Sequence, residues 1–203
     1  MHQPRWRATA VSLLVLLAPL TACSSGAGAR ISGDASAVPR TGPPSGGPTS
    51  ERPRSGEPER VTIDSIGVDS ALLPLGLNQD GTVEVPPAEQ GMTAGWYTGA
   101  ATPGERGPAV IIGHNDTKFG RAVFHNLRKL RAGADVAVRN SSGGTAHFKV
   151  TSTETVSKKA FPTKKVYGAT NTRALRLITC DGTYDAQGHP VDNLIVYAEL
   201  TRD

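Results

Sequence analysis

From Arg60 to the C-terminus the apolar residues come in short runs cut by glycine, proline, asparagine and aspartate, and this pattern decides the fold class. Val61-Thr62-Ile63 alternates, and Ile66-Gly67-Val68 continues the alternation. Strand side chains point to opposite faces in turn, so such runs predict strands. Further runs fall at 72–77, 82–85, 95–97, 108–114, 135–139, 147–156, 175–180 and 194–200. Asn78-Gln79-Asp80-Gly81 and Gly143-Gly144 are turn signals between them. Phe124, Leu127 and Leu130 recur at helical spacing within 122–130, which predicts one short helix. Seven or eight short strands with one small helix make an all-β barrel or sandwich. Residues 60–203 are enough chain to bury a core without disulfides.

The segment before this domain reads as targeting and tether. His2, Arg5 and Arg7 precede an apolar stretch, Ala8 to Leu17, which is too short for a comfortable membrane span. Leu20-Thr21-Ala22-Cys23 follows and resembles the bacterial lipobox, which implies cleavage before Cys23 and lipidation of its sulfur. The alternative is an ordinary secretory signal cut nearby. Residues 1–23 are thus expected to be a signal peptide, and two or three acyl chains on Cys23 suffice for stable anchoring. Residues 24–59 are rich in Gly, Pro, Ser and Ala with almost no large apolar side chains, a composition that cannot offset its ordering entropy. They are expected to tether the domain (60–203) to the outer face of the cytoplasmic membrane, in the cell envelope. The formal net charge is +4, with no concentrated Lys/Arg stripe, which argues against nucleic-acid binding.

The chain holds two cysteines. If Cys23 is lipidated it cannot pair, and Cys180 is the one thiol of the mature domain. Cys180 ends the run Leu175-Arg176-Leu177-Ile178-Thr179-Cys180, and Asp181-Gly182 after it predicts a turn. Leu175, Leu177 and Thr179 share one strand face; Arg176, Ile178 and Cys180 share the other. No CxxC and no histidine pair at ligand spacing suggests a metal site. A lone thiol in an oxidising compartment is then either a buried packing residue or a nucleophile.

Of the five histidines, His114 alone follows a core-strand run, Val110-Ile111-Ile112-Gly113, with Gly113 expected to let the chain turn tightly before Asn115-Asp116. Two strand ends on one rim of a barrel can meet. An imidazolium beside a thiol favours the thiolate, and the same ring can protonate a leaving amine. The alternative is a loop histidine bonded to a turn backbone group. Thr179 is expected to be structural, Asp181 and Asp116 to be turn formers, with Asp116 also able to orient His114. Trp96-Tyr97 fits either the core or a groove wall.

The combination of "VIIGHND", "LRLITCDG" and the closing run "DNLIVYAEL" resembles the sortases, most closely the actinobacterial class F, over roughly residues 60–203. The resemblance implies a closed eight-stranded β-barrel with one or two short helices. It implies a cysteine transpeptidase in which Cys180 is the nucleophile and His114 the proton donor and acceptor. The partners implied are secreted proteins with a C-terminal LPXTG-like signal and an amine of a peptidoglycan precursor, with no cofactor and with the protein a monomer. The sequence departs from the family at the third catalytic residue. The family has an arginine at the start of the closing strand, and this chain has Asn193 there. Asn193 can donate a hydrogen bond but carries no charge. Arg176, on the strand face of Cys180, is the candidate substitute. The departure opens a second reading, a catalytically impaired sortase-like lipoprotein that binds a wall component or a partner.

Overall fold

In the computed structural model, which describes residues 56–201, the first strand, β1 (Pro58–Ile63), begins two residues before the expected domain start. The expected signal peptide, Cys23 and the tether up to residue 55 lie outside the described residues. A single 3-10 turn, Asp64–Ile66, separates β1 from β2 (Val68–Leu75), and the two pair antiparallel. The next strands are β3 (Ala94–Tyr97) and β4 (Gly107–Ile112), followed by a small ribbon, β5 (Asp116–Thr117) with β6 (Gly120–Arg121). Then come β7 (Asp135–Asn140), β8 (Thr145–Ser157), the short helix α1 (Thr163–Tyr167), β9 (Arg173–Tyr184) and β10 (Pro190–Leu200).

Eight of the strands close into a barrel in the order β1-β2-β3-β4-β9-β10-β8-β7, with β7 pairing back onto β1. The β2–β3 and β4–β9 pairs are parallel and the others antiparallel. Among the described residues, closure leaves the barrel itself no free sheet edge. Alternation then sorts the side chains. Ala109 and Ile111 of β4, Leu175 and Leu177 of β9, and Leu194, Val196 and Ala198 of β10 fill the barrel with Phe124 and Phe148. Val110 and Ile112, Ile178, and Ile195 and Tyr197 point outward into a second apolar cluster. Val166 of α1 is fully buried over that outer cluster, with Phe161 and Tyr167 packed beside it. A barrel whose outer wall is itself apolar and capped has the makings of a groove, and the groove is found there.

Three sequence expectations are corrected. Residues 122–130 form no α-helix; only Leu127–Lys129 make a 3-10 turn, although Phe124, Leu127 and Leu130 are buried as their spacing suggests. Residues 82–85 form no strand; Val83 makes a single bridge to Leu77. Asp181-Gly182 is not a turn either. The strand runs through it to Tyr184, and the pairing with β10 shifts register there. Gly182 has φ 84°, and a Cβ on it would lie 2.3 Å from Asp192 Oδ2, so the irregularity requires glycine. The actual reversal is at 185–189, closed by the Asp185 N–H donating to the His189 carbonyl. The Gly143-Gly144 hairpin is present, with Gly143 at φ 84°.

Candidate active site

Cys180 of β9, Asn193 of β10 and His114, just past the end of β4, all line one groove of about 740 Å³ on the outer barrel face. The sheet register accounts for this. In the antiparallel β9–β10 pair, Cys180 sits directly opposite Asn193. In the parallel β4–β9 pair the offset is constant at 66 positions, from Gly107 with Arg173 to Ile112 with Ile178. The Gly113 N–H donates to the Ile178 carbonyl at 3.1 Å, the bond that closes this last pair. His114 lies two residues past the end of β4, as Cys180 lies two residues past Ile178 on β9. All three residues share the parity of outward-facing neighbours: His114 with Ile112, Cys180 with Ile178, Asn193 with Ile195. Adjacent strands lie about 4.8 Å apart, so Cys180 and Asn193 stand one strand spacing from each other.

The imidazole is held by the backbone. His114 Nε2 lies 2.7 Å from the Pro86 carbonyl oxygen. A carbonyl only accepts, so Nε2 carries the hydrogen, and in the neutral ring Nδ1 is the basic nitrogen. His114 and Cys180 are both half-buried, neither sealed nor loose. Gly113 is needed for a reason other than the expected turn, because its φ is not positive. A Cβ there would meet Val123 and Phe124 at 2.6 Å, so glycine lets the segment after His114 fold back against the barrel. Asp116 does not orient His114. Its carboxylate takes His125 Nδ1 at 3.0 Å.

The groove walls are apolar. Leu77, Val83 and Val85 come from the β2–β3 connection, Tyr97 from β3, and Phe161 and Tyr167 from the segment around α1. Trp96 and Tyr97 therefore divide as strand neighbours do, Trp96 packing on the barrel core and Tyr97 facing the groove. Tyr97 and Tyr167 meet edge to face at 6.1 Å, and burial pushes the Tyr167 hydroxyl pKa up.

Arg176 is placed elsewhere. It stands four residues before Cys180 on the same strand, about 13 Å along it. Its guanidinium stacks on the Tyr197 ring at 4.8 Å and Nη1 donates to the Leu175 carbonyl at 3.1 Å. It does not line the groove, and partial burial pulls its pKa below the usual arginine range. Thr179 is buried, and its Oγ1 has no hydrogen-bond partner among the described residues. Asp181 is also buried. Its carboxylate accepts from Arg128 of the 3-10 turn and from Thr155 Oγ1 at 3.0 Å, so it ties the strand of Cys180 to the segment that follows His114. That tie and the Pro86 carbonyl are the supports that sequence reading misses. Among the described residues no group of three His, Cys, Asp or Glu is arranged to hold a metal ion.

The model of the sortase domain matches residues 61–201. Solved structures with the same fold include sortase C-1 from Actinomyces oris, with a TM-score of 0.57 and 23% identity over 71% of this chain and 72% of that one. Sortase A from Corynebacterium diphtheriae has a TM-score of 0.56 and 21% identity over 75% and 64%. A sortase D5 transpeptidase from Clostridium perfringens has a TM-score of 0.53 and 21% identity over 72% and 79%. No curated protein sequence matches the chain.

Proposed function

Because the chain belongs to the sortase family, we propose that it is a cysteine transpeptidase that works through Cys180 and His114, with Asn193 beside them. The observation that carries the reading is the shared lining: the Cys180 thiol of β9, the Asn193 amide opposite it on β10 and the His114 imidazole just past β4 face one apolar groove. The Cys180 thiolate attacks the threonine carbonyl of an LPXTG-like signal at the C-terminus of a secreted protein. A tetrahedral oxyanion forms, and the Asn193 amide is a donor opposite Cys180. The C–N bond then breaks, the glycine amine leaves with a proton from His114, and a thioester remains on Cys180. An amine of a peptidoglycan precursor attacks that thioester, its proton passes to His114, and the thiolate is released. With Nε2 held by Pro86, the proton moves at Nδ1.

We also propose the finer points that rest on sequence: kinship to class F, lipid anchoring through Cys23, and an envelope location on the outer membrane face. The second reading, a binding protein with impaired catalysis, draws on Asn193 standing where the family has arginine. Substitution of Cys180→Ala and of His114→Ala separates the two. The transpeptidase reading expects cleavage of an LPXTG-like fluorogenic peptide to vanish in both variants while the circular dichroism spectrum is kept. Cleavage at the parent rate in either variant contradicts it.

A further inference from the structure

We propose that Lys158 makes the groove selective for peptides that carry a carboxylate within about two residues of the carbonyl attacked by Cys180. The inference rests on the acyl-transfer reading above and names the substrate chemistry of the same groove. Its starting point is the charge inventory of the lining. Among the described residues no aspartate or glutamate lines the groove, and Lys158 is the one fixed charge, against walls of leucine, valine and aromatic rings.

The sheet explains how Lys158 arrives there. Val156 of β8 pairs with Asn193, so it is the next residue of the row Cys180–Asn193, and it packs into the outer cluster. Lys158 follows Val156 by two residues and opens the 3-10 turn Lys158–Ala160 just past the end of β8. From Cys180 to Val156 is two strand spacings, and two residues along the strand add a further step, which puts the two Cα atoms about 12 Å apart. A lysine stem on four carbons spans roughly half of that. The ammonium thus reaches the part of an extended peptide adjacent to the attacked residue.

Lys158 is also left available. The lysine ion pairs of the domain use Lys118, Lys149 and Lys165. Asp185 in the β9–β10 turn feels the Lys158 charge, but its carboxylate is already held by the Gln187 and His189 backbone N–H groups. Lys158 is exposed, so its preference for a carboxylate is that of a surface ion pair, modest and sensitive to salt.

The test uses the full chain with Cys180→Ala and two fluorescent LPXTG-like peptides that differ only in having Glu or Lys before the threonine. Expected is tighter binding of the Glu peptide by about threefold to fivefold, the size of a partly exposed ion pair, narrowing as salt is added. Lys158→Gln should remove the preference and Lys158→Glu reverse it. An unchanged preference in Lys158→Gln, an equal loss for both peptides, or no binding of either peptide overturns the inference. Intact mass of the chain with Cys180 present keeps the two readings apart. Adducts with both peptides and no charge preference overturn the role of Lys158 alone, whereas a charge preference with no adduct supports Lys158 and contradicts acyl transfer.

Discussion

At the scale of single residues, the β9–β10 register separates two candidates that the sequence offers, Asn193 in the place of the family arginine and Arg176 as its substitute. Asn193 faces Cys180 across the ladder, and Arg176 lies four residues away, stacked on Tyr197. Acyl-adduct formation on Cys180 should therefore slow by about tenfold or more in Asn193→Ala, since a lost oxyanion donor costs on the order of 10²–10³ where it is fully used. Arg176→Gln should leave that rate within about twofold and lower the melting temperature instead, because a cation–π contact of about 0.5–1 kcal/mol is lost. Rapid-quench mass spectrometry and a thermal melt on each variant check both halves. An Arg176→Gln enzyme as slow as Asn193→Ala would reverse the assignment. Neither duty is legible from composition. Parity puts Arg176 on the correct face, but its stacking on Tyr197 away from the groove is a tertiary contact, and the Pro86 carbonyl on His114 belongs to a backbone atom that no side-chain motif records.

At the scale of elements, α1 is the piece that turns a barrel wall into a groove. It is held by buried Val166 and by an ion pair from Lys165 to Glu154 of β8, where Glu154 also accepts from the Tyr197 hydroxyl at 3.1 Å. Hydrogen bonding to Lys165, then to Tyr197, holds the Glu154 carboxyl below the usual glutamate range. A carboxyl depressed in the folded state contributes stability above its unfolded pKa, and the contribution fades as pH falls through the folded value. Amide exchange at 163–167 should accordingly speed up, relative to the barrel strands, as the pH drops below the ordinary glutamate range. Glu154→Gln should abolish that dependence. The long strands were readable because one face of each is buried and alternation is strict. Thr82-Val83-Glu84-Val85 also alternates, yet it lies along the groove wall and finds one bridge partner. The spacing of Phe124, Leu127 and Leu130 suits a helix, but an irregular segment wrapped on the barrel buries the same three side chains. Thr163–Tyr167 is too short for helical periodicity to register.

At the scale of the whole molecule, the barrel brings together residues that are far apart in sequence, and closure fixes their relative position to within a strand spacing. The all-β class was legible from alternation, and the eight-stranded closure from the resemblance carried by "VIIGHND" and "LRLITCDG". The sequence reading expected His114 and Cys180 at strand ends on one rim; the two line one groove, His114 just past the end of β4 and Cys180 within β9. The central claim is that this site performs acyl transfer. Intact-mass measurement of the full chain incubated with an LPXTG-like peptide, with and without an amine acceptor, tests it most directly. The account predicts a thioester adduct that maps to Cys180, accumulates without the amine and is discharged by it. A chain that carries no adduct on Cys180 under either condition would contradict it.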